Sequence, residues 1–98
     1  MEAVLRAVAD ESRRTLLETL ARGPATAGEL AGMLPIARPG VSRHLRVLQE
    51  AGLVGFSERG AQNIYAIRLQ GFAAVREFID SFWDVALSRL EELELAAP

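Results

Sequence analysis

The densest set of reactive side chains lies in residues 38–46, Arg-Pro-Gly-Val-Ser-Arg-His-Leu-Arg. Arg38, Arg43 and Arg46 surround Ser42 and His44, the only histidine in the chain. A catalytic histidine needs a poised partner within hydrogen-bond reach, and no nucleophile motif accompanies this one. A metal site needs several ligands of suitable type, and the chain has no cysteine and no second histidine. His44 therefore reads as a residue at the edge of a packed face, able to donate to a backbone group or a phosphate. What remains is a cluster of guanidinium groups. Each is a planar fork of donors that matches phosphate oxygens and the O6/N7 edge of guanine. Neither a cofactor nor an enzymatic activity is implied.

The overall charge hides this cluster. The 98-residue chain has a formal net charge of −2. Residues 1–37 hold four arginines against five acids, and residues 71–98 hold two against six. Between them, residues 38–70 hold five arginines against two acids. A basic centre in an acidic chain points to nucleic acid more firmly than the total does. Half the residues are hydrophobic and 24% are charged, which suits a single globular domain over residues 1–98. The absence of cysteine excludes disulfides, thiolate metal sites and thiol redox switches. No apolar run approaches ~18 residues and no signal peptide is visible, so a soluble cytoplasmic protein with no membrane partner is expected.

The elements that must position these residues follow from periodicity and capping. Residues 2–9 form a short helix with Val4, Leu5 and Val8 on one face. Asp10 caps a second helix, which stops at Gly23-Pro24. Its apolar stripe is Leu16, Leu17 and Leu20. Arg13 falls on that stripe as a paired structural residue, and Arg14 points away. Thr26 and Glu29 form a capping box for a short third helix that Pro35 ends. After a turn over Pro35-Ile36-Ala37, a fourth helix opens with Pro39 in its first turn, where the missing N–H costs nothing. Gly52 closes it.

Projected at 100° per residue, Val41, Leu45 and Leu48 of this helix fall within about 60° of arc. Arg38, Ser42, Arg46 and Gln49 occupy the adjacent face, with Pro39 and Arg43 further round. Pro39 and Gly40 lack bulky polar side chains and permit close approach. Next, "LVGFS" and "IYAIRL" are β-rich runs separated by the polar "ERGAQN", a hairpin with Arg59-Gly60 at its tip. A tip arginine can enter a minor groove or touch a phosphate. Arg68 can reach a phosphate or pair with an acid.

The last helix, from about Phe72 to Leu93, carries Phe78, Phe82, Trp83 and Leu90 on an apolar arc of roughly half its circumference. So wide an arc predicts a second subunit, with Val4, Leu5 and Val8 joining Phe78, Phe82 and Leu90 at a homodimer interface. The order α-α-α-α-β-β-α, mainly helical with a small hairpin, is that of a winged helix-turn-helix.

"VSRHLRVLQEAGLV", with "DESRRTLLETLARG" before it and the Gly60-containing wing after it, resembles the arsenic-repressor (ArsR/SmtB) family of bacterial winged helix regulators. The resemblance spans nearly the whole chain. It implies a homodimeric repressor that binds operator DNA through the fourth helix and pairs through its first and last helices. Arg38, Gly40, Ser42, Arg43 and His44 then fall on the DNA-reading helix and Arg59 on the wing. Metal-sensing members carry a cysteine motif in the short third helix, where this chain has "AGELAGML". Others place Asp and His ligands on the last helix. Here Asp80, Asp84 and Glu91 are present without a histidine. The chain thus resembles the branch without a metal site, with "RPGVSRHL" and an aromatic "FW". Ala37 replaces a capping hydroxyl common in the family, which weakens the start of the fourth helix.

The expected function is therefore a sequence-specific DNA-binding regulator, a homodimeric repressor on an inverted-repeat operator in double-stranded DNA. The sequence names no inducer. One alternative is a winged helix that docks other proteins through its acidic last helix. Another is a metal sensor with an all-oxygen site of Asp80, Asp84 or Glu91.

Overall fold

The computed structural model describes residues 1–96. Four helices, α1 (Glu2–Val8), α2 (Glu11–Arg22), α3 (Ala27–Met33) and α4 (Arg38–Glu50), precede β2 (Val54–Arg59) and β3 (Gln62–Ile67). A two-residue strand β1 (Ala25–Thr26) lies between α2 and α3. A 3-10 turn (Leu69–Phe72) then leads into α5 (Ala73–Ala96).

The helix boundaries have local causes. The Asp10 carboxylate accepts from the Arg13 backbone N–H at 2.9 Å, which starts α2. Thr26 Oγ1 accepts from the Glu29 N–H, and the Glu29 carboxylate accepts from the Thr26 N–H, each at 3.1 Å. That reciprocal pair is a capping box. Helix α4 has no such cap, because Ala37 offers no side-chain acceptor. Its far end is firmer. Gly52 adopts φ +79°, and the N–H groups of Gly52 and Leu53 reach the carbonyls of Gln49 and Leu48 at 3.0 Å. This Schellman closure turns the chain directly into the wing.

The sheet departs from the expected two-stranded hairpin in two respects. It has three antiparallel strands in the order β1-β3-β2, with Ala25 opposite Tyr65 and Thr26 opposite Ile64. The extended backbone that caps α3 also completes the sheet, and two residues are too few to show a period. The wing loop is also shorter than "ERGAQN". The ladder runs from Val54↔Ile67 to Arg59↔Gln62, which leaves only Gly60 and Ala61 outside it. Gly60 takes φ +61° while Ala61 stays negative, the pattern of a type II′ turn.

The core joins Val4 and Ala7 of α1, Leu16, Leu17 and Leu20 of α2, and Leu30 of α3 to Val41, Leu45 and Leu48 of α4. Leu53 and Val54 close it at the base of the wing. Among the described residues no polar or charged side chain is buried. The 3-10 turn packs tightly on the α4 terminus. A Cβ at Gly71 would collide with the Gly52 carbonyl. Beyond that contact α5 projects from the core, giving a molecule of 67 × 24 × 23 Å.

Candidate nucleic-acid interface

Val41, Leu45 and Leu48 are fully buried and clamp α4 to the core. With that stripe fixed, Arg38, Pro39, Ser42, Arg43 and Arg46 are exposed, while Gly40 and His44 are half-buried. The two ion pairs among the described residues, Arg76–Asp80 at 3.7 Å and Arg89–Glu92 at 3.2 Å, both lie on α5. The arginines between residues 38 and 68 thus have no carboxylate within 4.0 Å among the described residues. Their positive charge is available to an outside anion.

The wing stands beside the first turns of α4. Between them runs a cleft of about 230 Å³, lined by Arg38 and Ser42 on one side and by Thr26, Gln62, Asn63 and Tyr65 on the other. Sequence reasoning assigned Gln62 and Asn63 to a turn and missed them. Their signal was position, since they directly precede the alternating run "IYAI" of β3. Arg59 is the last residue of β2, exposed and paired in register with Gln62. Arg68 has no acidic partner among the described residues. Its aliphatic stem lies over Gly55, with Cδ 3.0 Å from where a Cβ would stand.

Gly40, expected to permit close approach, also has a task inside the protomer. A Cβ there would sit 2.9 Å from Ile36 Cγ2, so the missing side chain lets the helix-turn-helix turn close on α4. Arg13 is structural, as expected, but its partners are carbonyls. Its Nε donates to Ala7 O at 2.7 Å and its terminal nitrogen to Arg6 O at 3.0 Å. Arg14 donates to Val8 O at 2.8 Å. Two guanidinium groups thus satisfy the orphan carbonyls and complement the dipole at the end of α1. A second nitrogen of Arg13 stands 3.5 Å from His44 Nδ1. The Asp10 carboxyl is held below its usual pKa of 3.8, first by the Arg13 backbone N–H, against an opposing desolvation, with lesser lowering from the Arg13 guanidinium, His44 and the Ser12 N–H.

The side chains predicted for an interface between subunits divide. Val4 is only 7% exposed and belongs to the protomer's own core, and Val8 packs partly against the same core. Of these three α1 residues only Leu5, 38% exposed, faces outward. Seven residues of α1 cannot cover the core and present Val4 elsewhere. On α5, Phe78, Phe82 and Leu90 are all exposed, as are Ile79, Trp83 and Leu87. Phe78 and Phe82 meet edge to face with ring centroids 4.8 Å apart. Asp80, Asp84 and Glu91 do not gather into a group that could hold a metal ion. No helix among the described residues is long and apolar enough to cross a membrane.

This geometry agrees with what the chain is similar to. The profile of the bacterial regulatory protein, arsR family, matches residues 10–55. The HTH-type transcriptional regulator Rv2034 of Mycobacterium tuberculosis is 44% identical over 88 residues, covering 90% of this chain and 82% of that protein. The transcriptional repressor SdpR of Bacillus subtilis is 33% identical over 67 residues, covering 68% of this chain and 74% of that protein. The crystal structure of an ArsR family transcriptional regulator aligns with a TM-score of 0.78 at 31% identity, covering 86% of this chain and 92% of the other. The chain belongs to the arsR family of bacterial regulatory proteins and is a DNA-binding transcriptional regulator.

Proposed function

We propose that the protein is a homodimeric repressor in the cytoplasm that binds an inverted-repeat operator, and that it does not sense metal. The observation that carries this reading is the pairing of a buried Val41–Leu45–Leu48 stripe with an exposed, unpaired arginine face on the same helix. Arg38, Pro39, Ser42, Arg43 and Arg46 meet the major groove, with His44 at their edge, and Arg59 reaches the flanking backbone or minor groove from the wing. Gly40 supports this face from within. Twofold pairing through α5 and Leu5 covers apolar side chains that a lone protomer leaves in water, and a two-fold dimer matches a two-fold operator. The name of the Bacillus subtilis relative supports repression. The chain lacks cysteine and has a single histidine, which supports a function without bound metal.

Mobility shift with genomic fragments tests the DNA reading. Sequence-selective retardation that weakens steeply with salt is expected, with protected half-sites about one helical turn apart or more. Absence of any such retardation would favour a protein-docking role for the acidic α5. Sedimentation of wild type and of Phe82→Glu/Leu90→Glu tests the pairing. The wild type is expected as a dimer and the variant as a folded monomer. A monomeric wild type refutes the pairing.

A further inference from the structure

The cleft between α4 and the wing gathers hydrogen-bond donors that the fold leaves unused. Arg38 and Ser42 stand one helical turn apart on α4 and form one wall. Gln62, Asn63 and Tyr65 of β3 line the other. Side chains alternate along a strand, so Asn63 shares a face with Tyr65, which packs partly against the core. Asn63 carries that face beyond the core, where it is exposed. The guanidinium carbon of Arg38 lies 3.9 Å from where a Cβ of Gly28 would stand. That sets its charge over the start of α3, where Thr26 and Ala27 also line the cleft. None of these five wall side chains makes a hydrogen bond or ion pair among the described residues. No carboxylate lines the cleft. Glu58 lies across the ladder from Asn63 on β2, and Glu29 is tied to the Thr26 N–H. A guanidinium, two hydroxyls and two amides around about 230 Å³, with no acid among them, form a seat for an anion.

We propose that this cleft holds one phosphate of the DNA backbone, bound by Arg38 from α4 and by Asn63 from the wing. The inference rests on the reading of α4 as the DNA-contacting helix. It goes further in two ways. Arg38 is sent to the backbone rather than to a base edge, and the wing gains a contact besides Arg59. A phosphate gripped by both elements sets the register of α4 in the groove without reading sequence. The two partners contribute differently. Arg38 neutralises the phosphate and releases a counter-ion, whereas the Asn63 amide is neutral and adds only a directed hydrogen bond. Loss of Arg38 should therefore flatten the salt dependence, and loss of Asn63 should weaken binding by a similar factor at every salt concentration.

The test is operator binding by the full chain at several salt concentrations, on native duplex and on duplexes in which single phosphates are replaced by uncharged methylphosphonate. Arg38→Ala should lose about 1.8 from the salt slope of a two-fold dimer, with its base preference unchanged. Asn63→Ala should bind roughly tenfold more weakly per half-site at an unchanged slope. Asn63→Asp keeps the shape but turns a carboxylate toward the phosphate, and should bind more weakly still. Asn63 is exposed, so both variants should melt close to wild type. One methylphosphonate in each half-site should remove most of the loss, and it should be the same one for Arg38→Ala and Asn63→Ala. Losses that vanish at different phosphates, or at none, overturn the proposal. So does Asn63→Asp binding like wild type, or an altered base preference in Arg38→Ala. Each of these leaves α4 as the reading helix. A wild type that binds no DNA overturns both.

Discussion

Arg43→Ala removes an exposed charge from the middle of α4, and its effect on DNA binding can be worked out in advance. Log affinity falls with log salt by about 0.9 for each phosphate a protein neutralises. Each protomer exposes Arg38, Arg43, Arg46 and Arg59 without an acidic partner, so a dimer holding eight such contacts has a slope of about −7. A two-fold dimer presents Arg43 twice, and the variant should lose about 1.8 from that slope. Over an approximately fourfold rise in salt, wild-type affinity should then fall roughly 12-fold further than the variant's. Thermal stability should change little, because the side chain is exposed and makes no pair. Fluorescence anisotropy with one operator duplex at several salt concentrations measures the slope directly. An unchanged slope with relaxed preference at one base pair would place Arg43 on a base edge. An unchanged slope with unchanged specificity and affinity would refute α4 as the contacting face.

Three further outcomes follow from contacts inside the protomer. Gly40→Ala gains helix propensity of about 1 kcal/mol but meets Ile36 Cγ2, where overpacking costs about 1–3 kcal/mol. Denaturant melts should therefore show no gain in the wild-type background and a gain once Ile36→Ala has cleared the space; a gain in both would contradict the turn-closing role. Asp10→Asn keeps a capping acceptor and removes the charge. Because folding lowers the Asp10 pKa, its charge stabilises the fold above the usual value of 3.8, and that contribution disappears as pH falls through the lower folded value. Melting temperature should accordingly fall less on acidification in the variant, and parallel curves would remove the Asp10–Arg13 link from the pH response. Gly71→Ala forces the 3-10 turn away from the Gly52 carbonyl and should cost about 3 kcal/mol in chemical denaturation; a neutral result would mean that this junction yields freely.

The parts legible in the sequence were those written in short-range patterns. The Asp10 cap, the Thr26–Glu29 box and the Gly52 terminus each depend on residues within one helical turn. The buried stripe of α4 depends only on spacing. What escaped was set by distant partners. Ala25 and Thr26 become a strand because β3 lies alongside them, and nothing within two residues announces that. Glu58, Arg59, Gln62 and Asn63 are polar throughout, so their ladder carries no hydrophobic alternation. Val4 reads as an interface residue on an isolated helical face, but that face joins the protomer's own core. The packing task of Gly40 arises only once the turn brings Ile36 Cγ2 against it. Arg13 was recognised as structural, yet carbonyl partners on another helix leave no trace in spacing.

The buried core ends at Val54, and α5 adds no buried residue to it. Apart from Val75 near its start, which packs partly against that core, α5 shares little packing with the part that reads DNA. A lone protomer can keep its reading head folded and still reach only one half-site. In the proposed dimer, operator occupancy at low abundance then grows with the square of the protein concentration. The projecting helix becomes a threshold device. The gene that carries the operator would respond little to the first copies of the protein and sharply once pairing sets in.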